Sequence, residues 1–280
     1  MLRVPWYMNL LRLFLMLFVA LLIITCLYPL FWMFITSFKT YSESLKWPPT
    51  LLPRAFLPDN YILVFQTENF GRYFLNSIIV SVTGTVLTLL ICSMAGYGFA
   101  KFHFPGRNIA FMLILATMMI PGQVTLIPVF LLCKTFGWLN TYMGLIIPGL
   151  GGAFGIFMVR QFAVGIPNDF IDAARVDGAG ESRIYLTIFL PLIAPVLSTL
   201  AVLSFMGRWN DLFWPLIVVN SKHMRTLQLA LTTIFRTIYD THWPGLSASM
   251  VLAVTPILAL YVAFQKYFTR GIVLTSGVKG

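Results

Sequence analysis

The sequence predicts an all-α integral membrane protein that crosses the bilayer six times, and three observations predict it. Of its 280 residues, 59% are hydrophobic and only 10% are charged, against roughly 25% charged in an ordinary soluble domain. So few charges could not cover so large an apolar core in water. The apolar residues gather into six runs. Between the ends of those runs stands no Lys, Arg, Asp, Glu or His.

The first run is 13–38. At 1.5 Å per residue its 26 residues exceed a hydrocarbon core of ~30 Å. It is too long for a cleaved signal peptide, and no small-residue cleavage site interrupts it. Pro29 predicts a kink. Residues 39–72 hold Lys39, Glu43, Lys46, Asp59 and several prolines, and read as an aqueous loop. The second span is 73–100, followed by a short basic turn, KFHFPGRN, at 101–108. The third is 109–133, and the fourth, 142–159, is rich in glycine. After a charged segment comes the fifth, 190–206. A mixed stretch, 207–245, precedes the sixth, 246–264, and 265–280 is a tail. The whole of 1–280 reads as one transmembrane domain.

Six spans put both termini on one side. Dividing the 19 Lys and Arg between the two sides gives ten and nine, which decides nothing. Short loops weigh most. The 101–108 turn is denser in basic residues than the 39–72 loop, which favours cytoplasmic termini. The net charge of +10 comes from scattered Lys and Arg that form no basic stripe, so boundary caps explain it better than nucleic acid does.

Several functions lack their residues. Cys26, Cys92 and Cys133 all lie inside apolar runs, and His103, His223 and His242 have no ligand spacing, so no metal site is expected. Ion-coupled carriers need intramembrane carboxylates or histidines, and the spans have none. No GxxxxGK[ST], HExxH or GxSxG occurs. The cluster GLGGAFG at 149–155 spaces Gly151 and Gly155 for close helix packing. These absences fit a passage powered by a partner, or a purely structural membrane subunit.

The segment 167–189 is the exception. It contains Asp169, Asp172, Arg175, Asp177, Glu181 and Arg183 between two apolar runs. Pro167 suits a first helical turn, and Asn168 or Asp169 a cap. Phe170, Ala173, Ala174 and Asp177 then share one side of a helix, and the two alanines leave a flat surface for close approach. Asp172 and Arg175 flank it. Gly178 permits the positive φ that ends such a helix. A second short helix starts at Glu181 or Ser182 and runs towards Leu190, and Pro191 opens the next span. A solvated interhelical loop is the plain alternative.

The pattern DAARVDGAG at 172–180, followed by Ile188, Leu190 and Pro191, closely resembles the EAA loop of binding-protein-dependent ABC importer permeases. NSIIVSVTGTVLTLL at 76–90, AGYGFAKFHFPGR at 95–107, MMIPGQVTLIPVFLL at 118–132, WNDLFWPL at 209–216 and SGVKG at 276–280 resemble the carbohydrate branch, the maltose-type second permease. The likeness covers about 10–280. It implies the six-helix ABC importer permease fold in a prokaryotic inner membrane, with both termini cytoplasmic and 167–189 as a cytoplasmic helix–turn–helix coupling loop. It also implies a second permease, an ATPase dimer, an extracytoplasmic solute-binding protein, and ATP and Mg bound by the ATPase rather than by this non-catalytic chain.

By the same resemblance, Asp172 makes an ionic contact with the ATPase and Ala173 and Ala174 pack into its cleft. Asp177 lies on the same side. Gly178 forms the turn, and Ala179 follows it against the partner. The family has Glu where this chain has Asp172, a carboxylate one methylene shorter. The tail Gly277, Val278, Lys279 and Gly280 resembles one that reaches between two ATPase subunits. Pro121 and Pro128 can bend the third span near an outer gate. Asn210 and Asp211 can face the pathway, while Trp209 and Trp214 suit an interface belt. The expected cargo is a sugar, oligosaccharide, polyol or glycerol phosphate. Rival readings are an ABC permease for a non-sugar solute and a self-powered secondary transporter.

Overall fold

The structure is a computed structural model that describes residues 6–66, 69–235 and 241–276, with 6, 8, 9 and 264 onward described by backbone alone. Every regular element among the described residues is helical. In chain order these are α1 (Trp6–Thr36), α2 (Tyr41–Ser44), α3 (Asp59–Gln66), α4 (Phe70–Lys101), α5 (Arg107–Thr117), α6 (Gly122–Thr135), α7 (Tyr142–Ile146), α8 (Ala153–Val164), α9 (Asp169–Val176), α10 (Glu181–Ile184), α11 (Leu190–Leu192), α12 (Ala194–Trp209), α13 (Phe213–Val218), α14 (Leu227–Leu231) and α15 (Trp243–Ser276). A 3₁₀ turn, Ile147–Gly149, continues α7, and a π turn, Tyr185–Phe189, joins α10 to α11.

Three apolar helices are long enough to cross a membrane alone: Leu10–Thr36, Phe70–Lys101 and Trp243–Ala263. The third, fourth and fifth spans expected from hydropathy are not single rods. Arg107–Thr117 meets Gly122–Thr135 at 97°, Tyr142–Gly149 meets Ala153–Val164 at 46°, and Glu181–Leu192 meets Ala194–Trp209 at 77°. Each break has a chemical cause. Pro121 has no N–H to continue a helix and stands in extended backbone ahead of α6. Gly151 has φ +69, outside the helical region, so it interrupts the fourth span, and it also lies close against α4, where a Cβ would come 3.3 Å from Ile91 Cγ2. Pro191 and Pro195 flank the third break.

The chain forms two compact units. One comprises Met1–Phe70 with Leu231–Thr255, the other Gly71–Ala230 with Pro256–Gly280. In the first, α1 continues through Pro29. Its side chains from Leu10 to Phe31 are exposed, so this apolar helix faces lipid or another subunit. The loop read as aqueous is a knitted cap. Asn60 Nδ2 donates to the carbonyls of Ser37 (2.8 Å) and Lys39 (2.9 Å), and Glu43 Oε1 accepts from Thr50 Oγ1 and the Arg54 N–H, both at 3.1 Å. Burial lowers the pKa of Lys39, whose ammonium lies 4.4 Å from the Trp32 ring centre, and the Glu43 charge opposes that shift.

In the second unit one core runs through α4, α8, α9, α10 and α12. It contains Cys92, Tyr97, Val159, Ile171, Ala174, Ile184, Phe189, Ile193 and Leu200. Glycines let these helices touch. A Cβ on Gly96 would lie 2.5 Å from Val159 Cγ1, and one on Gly155 would lie 2.7 Å from Cys92 Sγ. A separate cluster joins Val80, Leu145, Ile146, Val218, Val219 and Leu229.

Candidate functional site

The 167–189 segment folds as two short helices around a glycine turn. Asp169 and Asp172 fill the first turn of α9 and Arg175 the last, the arrangement a helix dipole favours. After α9 the chain reverses at Gly178, with φ +78, and the N–H of Ala179 closes on the Ala174 carbonyl at 2.9 Å. Only glycine adopts that φ without steric cost.

The helix divides its residues differently from the sequence expectation. Ile171 and Ala174, at i and i+3, turn inward and pack with Ile184 in the core. Ala179 also packs against that core. Ala174 therefore lies off the open surface, and Ala179, half-buried, stands at its edge. That surface consists of Phe170, Asp172, Ala173, Val176, Asp177 and Gly178. Val176 is 88% exposed and Phe170 55%, so this face sets two uncovered apolar side chains beside two carboxylates. Adjacent residues on a helix point about 100° apart, so a surface that takes Ala173 turns Ala174 away.

A polar chain fixes the loop to the end of α4. The Tyr97 hydroxyl donates to Glu181 Oε2 (2.8 Å) and Arg175 Nε donates to Glu181 Oε1 (2.8 Å). Arg175 Nη1 then donates to Asp172 Oδ1 (3.1 Å). The hydrogen bond that Arg175 donates to Glu181 raises the pKa of Arg175 above its usual value, so this link stays ionised. Lys101 Nζ donates to the Ile166 carbonyl (2.6 Å) and to Asn168 Oδ1 (2.9 Å). The Asn168 side chain therefore holds Lys101 and does not cap α9. Asp172 keeps most of its side chain exposed, at 61%, while pairing with Arg175. Sequence reasoning missed Tyr97, Lys101 and Glu181 as partners of this loop. They lie 84, 67 and six residues from the groups they hold, and no local spacing signals the first two.

The expected pathway residues fall in two places. Pro121 sits at the 97° break and Pro128 inside α6. Asn210 ends α12, and Asp211 follows it, its Oδ1 accepting the Trp214 N–H at 3.2 Å. Asp211 lines a hollow of about 460 Å³ with Gln123, Thr125, Arg208 and Trp214. Trp209 is not an interface residue. It is 1% exposed, stacked on Phe205 and edge-on to Phe74. Trp214 donates from Nε1 to the Gly144 carbonyl (2.8 Å). The tail residues Gly277, Val278, Lys279 and Gly280 lie outside the described residues.

Residues 89–274 match the family of binding-protein-dependent transport system inner membrane components. The chain belongs to that family. This permease is 36% identical over 283 residues to the arabinooligosaccharides transport system permease protein AraQ of Bacillus subtilis (strain 168), with 100% of both chains covered. It is 33% identical over 245 residues to the lactose transport system permease protein LacG of Rhizobium radiobacter, covering 88% of this chain and 89% of the other. A crystal structure of a bacterial ABC transporter involved in the import of the acidic polysaccharide alginate superposes with a TM-score of 0.85 at 24% identity. The match covers 95% of this chain and 99% of that one. The fold is thus the all-α ABC importer permease fold.

Proposed function

We propose that this permease is one of two membrane subunits of an ATP-driven carbohydrate importer, supplies half of its pathway, and is coupled to the ATPase through α9. The observation that carries the coupling is the division of α9. One side, Ile171 and Ala174, is embedded in the core shared by α4, α8 and α12, and the other side is uncovered. A push on the open side moves that core as a packed body. The bonds of Glu181 to Tyr97 and of Ile166 and Asn168 to Lys101, on either side of α9, pass the motion to α4.

On this reading the loop lies in the cytoplasm, as do both termini. Asp172 and Asp177 meet basic groups of the ATPase, and Ala173 allows close approach. The partners are a second permease, an ATPase dimer and a solute-binding protein outside the membrane. The ATPase binds ATP and Mg, and this chain binds no cofactor and catalyses no reaction. Its identity to permeases named for arabinooligosaccharides and lactose supports a sugar, oligosaccharide or polyol-type cargo. Purification tests this reading. The chain co-purifies with an ATPase whose hydrolysis is vanadate-sensitive and stimulated by the binding protein. Isolation without any ATPase, from cells that express the whole importer, would sink it.

A further inference from the structure

Arg208 is a cation that the fold builds a place for and leaves without a carboxylate in direct contact, Asp211 acting on it only from beyond ion-pair distance. It stands one residue before the end of α12. Its Nη2 donates to the Gly149 carbonyl (2.7 Å) and to Thr88 Oγ1 (2.9 Å). Two glycines make room for it. A Cβ on Gly84 would lie 2.7 Å from Arg208 Cδ, Cζ and Nε, and one on Gly149 would lie 3.1 Å from Nη1. Among the described residues the ion pairs within 4 Å are those of Arg175 with Asp172 and Glu181, so no carboxylate meets Arg208. Asp211 faces the same space, but its Oδ1 is turned to the Trp214 N–H at the start of α13. Nη1 has no acceptor among the described residues.

The position adds to the chemistry. Arg208, Asp211 and Gly149 line both the 460 Å³ hollow and a second hollow of about 340 Å³, which extends past Gly152, Gly155 and Leu200. These three residues border both hollows, so the guanidinium is within reach of a solute in either. The larger volume lies in the roughly 300–1,000 Å³ range of small-molecule sites. An ionised group inside a membrane domain is costly unless it is paired or in use. A guanidinium with open N–H groups pairs best with a carboxylate or a phosphate.

We propose that Arg208 is a solute-contacting, specificity-determining residue, and that the cargo carries an anionic group, a carboxylate or a phosphate, that pairs with it while Asp211 and Gln123 take hydroxyls. This proposal rests on the carbohydrate-importer reading. The test is uptake by cells carrying the complete importer, with three radiolabelled probes: digalacturonate for the carboxylate, sn-glycerol 3-phosphate for the phosphate, and neutral arabinobiose. The expected result is uptake of one of the two anions in preference to arabinobiose, and which anion is carried identifies the group. Arg208→Gln then lowers its uptake at least tenfold, and Arg208→Lys restores most of it. Both variants retain the second permease and the ATPase on purification. Preferential uptake of arabinobiose, or an anion uptake that Arg208→Gln leaves unchanged, overturns the proposal while the importer reading stands. Loss of the second permease from the Arg208→Gln complex also overturns it, by making Arg208 a subunit contact. Uptake of none of the three counts against both.

Discussion

Ala173 and Ala174 are neighbours with the same side chain and opposite prospects. Ala174 is 9% exposed, in the core beside Ile171 and Ile184, and Ala173 is open. Ala174→Asp would bury an unpaired carboxylate, a change that costs several kcal/mol. It is expected to lower the melting temperature of the solubilised protein and its yield. Ala173→Asp is expected to leave melting unchanged and to abolish stimulated ATP hydrolysis in the assembled importer. Equal melting temperatures for the two would contradict the orientation of α9. Gly178→Ala places a Cβ at φ +78 for about 1–2 kcal/mol, and Gly178→Val costs more because of its branched Cβ. Graded loss of transport, Val more than Ala, is the expected result. The sequence made Gly178 legible because one residue's φ is a local matter. The inward turn of Ala174 was not legible, because it depends on Ile184 and the end of α4 rather than on spacing within α9.

At the scale of elements, the polar chain from Tyr97 through Glu181 and Arg175 to Asp172 makes the end of α4 and the α9 loop one lever. Tyr97→Phe removes a hydrogen bond worth on the order of 1 kcal/mol. Lys101→Met leaves the Ile166 carbonyl without its donor, at about 1–3 kcal/mol. Hydrogen exchange at 169–184 in the assembled importer should rise in both variants, while exchange in α8 stays as in the parent. An unchanged loop in both would remove α4 from the transmission path. Hydropathy located α1, α4 and the start of α15 because each is one long apolar helix. It could not see that 109–133 turns by 97° at Pro121, since an apolar run reads the same whether straight or broken. Pro121→Ala is expected to extend α5 or α6 and slow transport, and infrared helix content with uptake rates would register both. Arg208 escaped the sequence reading for a related reason. It falls two residues beyond the apolar run 190–206, yet α12 continues to Trp209.

For the whole molecule, the central claim is a division of labour. This chain provides a passage and a surface to push on, and another subunit provides the energy. The fold class was legible from composition and six apolar runs because membrane burial dictates both. The proposed coupling role could be suggested only through a resemblance, since six charged residues between apolar runs also describe an ordinary loop. The most direct measurement compares proteoliposomes holding both permeases, an excess of loaded binding protein and internal ATP, with and without the ATPase subunits. Accumulation of solute against its gradient is expected only when the ATPase is present, and is abolished there by Ala173→Asp. Uphill accumulation by vesicles that lack the ATPase would contradict the account.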